Sequence, residues 1–354
     1  METVLRKKIC TGIAVIIIPI VCLYLLQCLL VPKYASDIKE GAMIEEYYNS
    51  EKNHDVLILG DCEVYENISP VTMWENYGIS SYIRGSAEQL IWQSYYLLED
   101  TLKYEKPQVV IVNVLAMTQR DAKSEAYNRM TLDGMKLSKY KIASIRESMT
   151  EDENIASYIF PLLRYHSRWS ELSSDDIKYM FNKPKVTSNG YLMQVGVRPV
   201  TTVPKVSPLA NYTFSDRNYE YLDKIKDLCN EKGIKLVLIK APSIFPHWYD
   251  EWESQIQDYA NENNLLYLNM VDKADEIGLD YTTDTFDYGQ HLNVDGAEKT
   301  AVYLGNILKD QYRLTDHRGE SETALQWNTI VSDYNSLKTK KQEAWNNSLN
   351  GGSQ

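Results

Sequence analysis

Short apolar runs alternate with longer amphipathic stretches along most of the chain. The runs are rich in Val, Ile and Leu and contain few polar positions. Such runs are typical of strands that are buried on both faces of a parallel sheet. The pattern predicts strands at residues 55–60, 80–85, 108–115, 234–242 and 264–270.

The amphipathic stretches between the apolar runs predict helices. Ser69 and Pro70 suit the N-cap and the first position of one helix, and Gly233 ends another. Strands that alternate with helices are joined by right-handed crossovers, which place helices on both faces of the sheet. The predicted fold is therefore a three-layer α/β/α doubly wound parallel sheet. Its helices are expected at about residues 70–77, 86–104, 216–232, 249–262, 294–312 and 321–345.

The N-terminus carries a different pattern. Residues 9–31 are 23 consecutive positions without a charge. At about 1.5 Å per residue, a helix of this length crosses a hydrocarbon core of about 30 Å. Arg6, Lys7 and Lys8 directly precede it, so the positive-inside rule predicts residues 1–8 in the cytoplasm and the remainder outside. A cleaved signal peptide or a lipoprotein site at Cys28 suits this stretch less well, because the run is long and small residues are missing before the candidate cleavage sites.

The organisation predicted for the exported part has three segments. Residues 32–54 read as a polar juxtamembrane linker, residues 55–318 as the α/β domain, and residues 319–354 as a C-terminal helix with a polar tail. About 100 residues, 116–215, interrupt the alternation and are predicted to be an insertion, with a helix near 153–170 and an irregular stretch at 186–208. A loop of this length often covers a site.

Charge and cysteine content narrow the function. The net charge is -12, which disfavours nucleic acid, because phosphate binding requires Lys and Arg. Only Cys62 and Cys229 lie outside the apolar N-terminal run, so one disulfide is conceivable, although Cys229 also fits the apolar face of a helix. We expect no cofactor and no metal, since no zinc-ligand spacing, phosphate loop or dinucleotide fingerprint is present.

Polar side chains follow the predicted strands at their carboxyl ends, where ligands bind to an open parallel sheet. Gly60, Asp61 and Cys62 follow the first strand. A cysteine there could act as a nucleophile if a histidine base, itself oriented by a carboxylate, lies within reach. The other candidates at this edge are Arg84, Gly85, Ser86, Asn113, Lys240, Pro242, Ser243, Asp284, Asp287, His291 and Asn293.

These blocks resemble the SGNH/GDSL hydrolase superfamily. The resemblance rests on the Gly-Asp-Cys turn, the glycine after the second strand, the asparagine at the third and, above all, the stretch FDYGQHLNVDGAEKTAVYLGNIL. It covers residues 55 to about 318 and is greatest to membrane-anchored, extracytoplasmic SGNH-like proteins of Gram-positive bacteria that are related to those handling acyl groups on cell-surface polymers. The implied activity is hydrolysis or transfer of acyl esters.

The resemblance also implies roles for individual residues. Cys62 stands where the family has its nucleophilic serine, His291 matches the general base, and Asp287 matches the carboxylate that orients it. Gly85 and Asn113, with the Cys62 amide, match the oxyanion donors. Three residues separate Asp287 from His291 where the family has two, so Asp284 is an alternative partner, and the usual Gly-x-Asn-Asp block around Asn113 is absent.

Other residues are candidates for substrate binding. They are Asp61, Arg84, Lys240, His247 and Asn293, of which His247 also suits the start of a helix. The stretch LLRYHSRW at 162–169 reads either as a cationic, aromatic lid or as a solvated helical face. The 27 tyrosines mildly favour a glycan partner, because tyrosine offers sugars a flat apolar face with a polar tip.

Two hypotheses follow. In the first, the chain is a single-pass membrane protein whose exported domain cleaves or transfers an acyl ester, acetyl being the first candidate, on a cell-surface polysaccharide or a small acylated substrate. In the second, the same domain is a catalytically silent scaffold that binds a glycan or a membrane acyltransferase. The replacement of serine by Cys62 and the lengthened Asp287–His291 spacing favour the second hypothesis.

Overall fold

The computed structural model describes residues 2–33, 41–203 and 205–351, and in these ranges the predicted strands form one parallel sheet. The strand order is 2-1-3-4-5, with each pair parallel and in continuous register. The strands are β1 (Val56–Gly60), β2 (Ser81–Gly85), β3 (Val109–Asn113), β4 (Lys235–Lys240) and β5 (Leu266–Asn269).

Helices cover both faces of the sheet, as predicted. They are α1 (Glu2–Leu30), α2 (Ala42–Glu46), α3 (Cys62–Tyr65), α4 (Pro70–Tyr77), α5 (Ile91–Thr101), α6 (Glu125–Leu132), α7 (Lys139–Ser148), α8 (Ile155–Ile159), α9 (Leu162–Tyr165), α10 (Ser174–Lys178), α11 (Asp216–Lys232), α12 (Asp250–Asn263), α13 (Ala274–Ile277), α14 (Val294–Tyr312) and α15 (Ser321–Gly351). Short 3₁₀ turns lie at Tyr47–Asn49, Val114–Thr118, His166–Ser170 and His317–Gly319.

Strand residues alternate between two hydrophobic cores. Leu57, Val110 and Leu238 face the core formed with α5 and α11, whereas Ile58 and Ile111 face the core formed with α4 and α14. Both faces of the strands are therefore buried, which is why the sequence shows continuous apolar runs instead of alternation. The doubly wound α/β/α fold is confirmed.

Caps in the sequence account for the helix ends. The Ser69 side chain accepts a hydrogen bond from the Thr72 amide at the start of α4, and Pro70 occupies the first position. Gly233 ends α11 with a φ of 67°, a left-handed conformation that glycine adopts without strain. Helix α5 starts later than predicted, because residues 86–90 form a turn in which Glu88 has a φ of 54°.

Residues 41–54 belong to the stretch predicted to be a linker, and apolar side chains among them pack into the domain. Met43, Ile44 and Tyr47 are buried, and Ile44 belongs to the core of the α5 face. Arg84 lies over the Tyr47 ring, with 4.2 Å from its guanidinium carbon to the ring centroid. Polar residues lie between these apolar ones, so the sequence pattern did not indicate a buried helix. The rest of the predicted linker includes residues 34–40, which lie outside the described residues.

The region predicted to be an insertion is helical in its first part and irregular in its second. Helices α6–α10 occupy residues 125–178, and the helix expected near 153–170 is divided into α8, α9 and a 3₁₀ turn. Pro161 stands between α8 and α9, where its missing amide cannot continue the helical hydrogen bonds. Residues 179–203 contain one isolated bridge, Ser188 to Tyr191.

The terminal helices differ in their surroundings. Between Arg6 and Leu30, α1 is long and apolar enough to cross a membrane, and little of it is buried. Helix α15 packs on the domain instead of forming a separate tail. Its Trp327 ring stacks on Trp74 of α4 at 4.8 Å between ring centroids, and Tyr334 is buried.

Candidate active site

The site lies at the carboxyl edge of the sheet, where the chain leaves β1. The strands on either side of β1 are β2 and β3, so this edge holds the topological switch point at which doubly wound sheets form their ligand crevice. Gly60 pairs with Gly85 across this edge. Asp61 caps the short helix α3 by accepting from the Glu63 amide at 3.2 Å, and Cys62 is the first residue of that helix.

His291 is held by Asp287. Asp287 Oδ1 accepts from the His291 amide at 2.7 Å, and its Oδ2 lies 2.6 Å from Nδ1 of the ring. Tyr288 and Gly289 between them have φ values of 66° and 92°, which turn the loop back so that the longer spacing still brings the side chains together. The alternative partner, Asp284, binds Lys299 at 2.6 Å and does not contact the imidazole.

A second carboxylate, Glu66, contacts the same ring nitrogen. Its Oε2 lies 3.1 Å from Nδ1 of His291, and its other oxygen accepts from Gln194 at 2.7 Å. Sequence reasoning missed Glu66. The signal was its position four residues after Cys62, because one helical turn returns a side chain to the same face.

The two carboxylates set the protonation of His291. Burial by itself lowers the pKa of this imidazole, but the hydrogen bond to Asp287 and the negative charges of Glu66 and Asp287 outweigh it, and the pKa is raised above its ordinary value. With Nδ1 engaged, Nε2 is the nitrogen left for a substrate or a nucleophile. Among the described residues no hydrogen-bond partner of Nε2 is present.

Cys62 lies in the same electrostatic environment. Burial raises the pKa of its thiol well above the ordinary value, and the charges of Asp61, Glu66 and Glu63 raise it further. Asp61 and Glu66 also act on His291, so the thiol and the imidazole share one acidic site. In the described ranges the Cys62 sulfur forms no hydrogen bond to His291 or to another residue. Because the pKa of the Cys62 thiol is raised in this way, the thiol is protonated at neutral pH.

A buried polar cluster supports α3 from beneath. Lys240 Nζ lies 2.9 Å from both carboxylate oxygens of Glu63, and neither side chain reaches solvent. Asn113 donates both amide protons, to Asp61 at 3.2 Å and to Glu63 at 3.0 Å. Burial and the nearby charge of Glu63 raise the pKa of Asp61 to about 7.

This cluster corrects three predicted roles. Asn113 cannot donate to an oxyanion in this structure, because both of its N–H groups are already engaged by carboxylates. Lys240 cannot contact a substrate, because it is fully buried against Glu63. Asp61 has its side chain turned to the helix cap and to Asn113, so it too acts within the protein.

The other predicted substrate ligands lie in several places. Arg84 is fully buried on the α5 side, where it donates to the Leu97 carbonyl and to Asp100, so its predicted role is wrong. Asn293 is the buried N-cap of α14 and donates to two backbone carbonyls. His247 packs edge-on against the Tyr249 ring, and its role in substrate binding stays a prediction. Gly85 lies at the strand edge, where an added Cβ would be 3.0 Å from the Gly60 carbonyl oxygen, and its oxyanion role also stays a prediction.

Two further elements join the parts of the site. Asn67 donates to Ser243 at 2.8 Å and accepts from the Leu292 amide at 2.7 Å, which ties α3 to the His291 loop. The irregular segment 192–200 bonds to both sides, since the Leu192 amide donates to Tyr65 and the Arg198 amide donates to Thr285. These bonds place residues 192–200, which belong to the stretch predicted to be an insertion, beside the site.

Cys62 and Cys229 are both free. Cys229 is buried in the core of the α11 face, whereas Cys62 contacts the opposite core, so the sheet separates the two thiols. A disulfide between them is excluded in this arrangement. In residues 2–33, 41–203 and 205–351, no group of three or more His, Cys, Asp or Glu side chains is arranged to hold a metal ion.

Some solved structures are similar to this chain at low sequence identity. One, a protein assigned to the lipolytic G-D-S-L family from Desulfitobacterium hafniense DCB-2, is 12% identical with a TM-score of 0.38, over 72% of this chain and 100% of that one. A protein assigned as an acylhydrolase from Bacteroides fragilis NCTC 9343 is 10% identical with a TM-score of 0.37, over 75% and 94% of the two chains. A GDSL-like lipase from Bacteroides thetaiotaomicron VPI-5482 is 10% identical with a TM-score of 0.37, over 77% and 99%.

No family model matches the sequence, and no curated protein matches it. The chemistry of the site is therefore taken from this chain's own residues.

Proposed function

We propose that this chain is a thiol-dependent acyl esterase or acyltransferase anchored in the cell membrane by α1, with its α/β domain outside the cytoplasm. The observation that carries the proposal is the pairing of Asp287 with His291 Nδ1, at 2.6 Å, in the same acidic site as Cys62. A carboxylate that fixes the tautomer of an imidazole leaves Nε2 free to act as a general base.

The chemistry follows the usual course of acyl transfer. Cys62 Sγ attacks the ester carbonyl while its proton passes to His291 Nε2, with the backbone amides of Cys62 and Gly85 as candidate oxyanion donors. The intermediate expels the alcohol, which takes the proton from His291, and leaves an acyl thioester on Cys62. Water or a sugar hydroxyl then attacks the thioester, gives its proton to His291, and releases Cys62, which is reprotonated.

The protonation states agree with a general-base route. The raised pKa of the Cys62 thiol keeps it neutral, so the reaction begins with a thiol that His291 deprotonates during attack instead of with a preformed thiolate. The raised pKa of His291 means that the base becomes available as pH rises above the ordinary range of histidine. We therefore expect activity to increase toward alkaline pH.

The substrate class is proposed from the sequence. A cell-surface polysaccharide carrying acyl esters, acetyl first, suits an exported and membrane-anchored domain, and the 27 tyrosines suit a glycan. The N-terminal helix is long and apolar enough for a span, and Arg6, Lys7 and Lys8 before the apolar run favour a cytoplasmic N-terminus.

A silent scaffold that binds a glycan or a membrane acyltransferase is the second candidate. It is favoured by the raised pKa of Cys62 and by the use of Asn113 inside the protein, since both lower the reactivity expected of an SGNH-type site. This candidate uses the same cleft without turnover.

Turnover of p-nitrophenyl acetate by the full chain in detergent separates the two candidates. An esterase loses turnover in Cys62→Ala and in His291→Ala, retains part of it in Cys62→Ser, and forms a thioester adduct on Cys62 that mass spectrometry detects. Cys229→Ala is the matched control and should leave turnover unchanged, because that thiol lies in the opposite core. Equal background rates in all four variants and in the unaltered chain would exclude the esterase.

A further inference from the structure

The last turn of α1 is covered by the insertion. Residues 21–26 of α1 are exposed on every side, whereas residues 27–29 are half-buried and Leu30 is buried. The elements in contact with α1 are α9, the 3₁₀ turn His166–Ser170 and α10. The stretch 162–169 therefore lies against the end of the apolar helix.

Polar contacts fasten this junction. Arg168 donates to the Leu30 carbonyl and, through its other terminal nitrogen, binds Asp176 at 2.8 Å. Lys33 donates to the carbonyls of Cys28 and Leu29. These cations satisfy carbonyls at the C-terminus of α1 that have no partner within the helix, and their charge complements the helix dipole.

Large apolar side chains in these elements and in the turns next to them face solvent. Their exposed fractions are 57–72%, and chain segments of only a few residues separate them. Soluble surfaces rarely expose so many large apolar side chains together unless they bind something. They are Phe160 (61%), Leu163 (57%), Trp169 (71%), Ile177 (68%) and Phe181 (72%), and we call this set the apolar rim.

The length of α1 indicates where the apolar rim lies relative to the membrane. From Arg6 to Leu30 the helix has 25 residues, and at about 1.5 Å per residue it is longer than a hydrocarbon core of about 30 Å. Its ends therefore lie in the interfacial layers. Phe181 lines a cleft together with Tyr24 and Cys28 of α1, so the apolar rim begins at the level of the last turns of the span.

Basic side chains accompany the apolar rim. Arg164 and Lys178 are exposed beside Leu163 and Ile177, and Lys185 follows Phe181. Aromatic side chains flanked by Lys and Arg are typical of protein segments at the boundary between headgroups and acyl chains. The occupant that this surface fits is therefore lipid, in continuity with the bilayer around α1.

We infer that the insertion is a membrane-contacting foot, in which the apolar rim enters the outer interfacial layer beside α1 and holds the domain against the bilayer. The inference rests on the proposed membrane anchoring and goes beyond it, because an anchor alone leaves the domain free to stand away from the surface. It also assigns LLRYHSRW to the membrane instead of to the substrate.

Photo-crosslinking to lipid tests the inference. The full chain, with p-benzoylphenylalanine at one position, is placed in liposomes that contain a tagged phospholipid. Positions 169 and 181 report on the apolar rim, and the exposed Leu26 of α1 is the positive control for anchoring. Gln257, exposed on α12, is the matched control. Helix α12 contacts β5 at one edge of the sheet, whereas the cleft at the end of α1 is also lined by α2, which contacts β2 at the other edge, roughly 19 Å away at about 4.8 Å per strand.

The expected result is lipid crosslinking at 169 and 181 several-fold above that at 257. Crosslinking at 26 together with background yield at 169 and 181 would overturn the foot while the anchor stands. Background yield at 26 would overturn the anchor and the foot together. Crosslinking at 169 and 181 to a protein instead of lipid in native membranes would also overturn the inference.

Discussion

Glu66 Oε2 lies 3.1 Å from His291 Nδ1, the nitrogen that Asp287 already holds. Two carboxylates thus act on one imidazole nitrogen. Asp287 lies in the same loop as His291 and accepts a hydrogen bond from the His291 amide. Glu66 follows directly after the short helix that Cys62 begins. Asp287 therefore both orients the base and raises its pKa, and Glu66 raises that pKa further from a different element of the fold.

Removing each carboxylate should have a different effect. Glu66→Gln is expected to lower the pKa of His291, because one neighbouring charge is lost while the Asp287 hydrogen bond remains. Asp287→Asn should cost about 10²–10⁴-fold in turnover, because the tautomer is no longer fixed. NMR titration of the His291 ring proton and the pH–rate profile measure the two effects. A His291 pKa unchanged in Glu66→Gln would contradict the first expectation.

Asp61 should make stability decrease as pH rises. In the folded chain it keeps its proton up to about pH 7, whereas an unfolded aspartate ionises near pH 4. Between these values the folded state binds more protons, so its stability falls with increasing pH. Asp61→Asn cannot ionise and still suits the cap of α3, so its stability should fall less between pH 5 and 8.

Thermal unfolding at several pH values measures this difference. Asp316→Asn is the control, because hydrogen bonding to Arg318 lowers the pKa of Asp316 to about 2 and its titration lies outside the window. A parallel pH dependence in Asp61→Asn and the unaltered chain would show that Asp61 is ionised throughout.

The buried pair Lys240–Glu63 should be costly to break. Lys240→Met leaves the Glu63 charge unpaired in the interior, which typically costs about 3–5 kcal/mol. The double variant Glu63→Leu with Lys240→Met should recover much of the loss. Urea unfolding measures both, with Lys232→Met as the control, because the Lys232–Glu231 pair is exposed. A double variant as unstable as Lys240→Met alone would contradict the account.

The reactivity of Cys62 should depend strongly on pH. Its raised pKa predicts slow alkylation by iodoacetamide at pH 7 and much faster alkylation as the solution becomes alkaline. Cys229 is fully buried and should react only after unfolding. In the denatured chain, without a reducing agent, all five thiols should be available for alkylation. Mass spectrometry of tryptic peptides follows each site, and equal Cys62 reactivity at pH 6 and pH 9 would contradict the expected protonation.

The fold was predictable because its signals are local. Apolar runs, Ser69 with Pro70, and Gly233 each report on their own segment, and the ends of α4, α11 and α14 agree with the prediction. The family resemblance offered Asp287 as the partner of His291 and left Asp284 as an alternative, and Asp287 is the one that contacts the ring in the structure. The sequence could not show which face of the sheet the Arg84 side chain occupies. A strand places successive side chains on opposite faces, and the buried partner Asp100 lies in a later helix.

The hydrogen bonds of Asn113 and Lys240 to Glu63 could not be predicted from the sequence for a related reason. Both stand at the predicted strand edge, but whether such a side chain faces solvent depends on the neighbour that fills the space beside it. Here that neighbour is Glu63, which the chain supplies immediately after Cys62. Three-dimensional pairing between α3, β3 and β4 decides the matter, and no single segment encodes it.

The hydrogen bond from Arg168 to the Leu30 carbonyl has a geometric consequence for substrate access. The domain is joined to α1 through the chain and also through this contact. A body held at two points above a surface cannot swivel freely, so it sweeps a shallow zone parallel to the bilayer. With the anchoring and the polysaccharide substrate that we propose, polymer that extends far from the cell is out of reach, and chains that emerge near the membrane are met first.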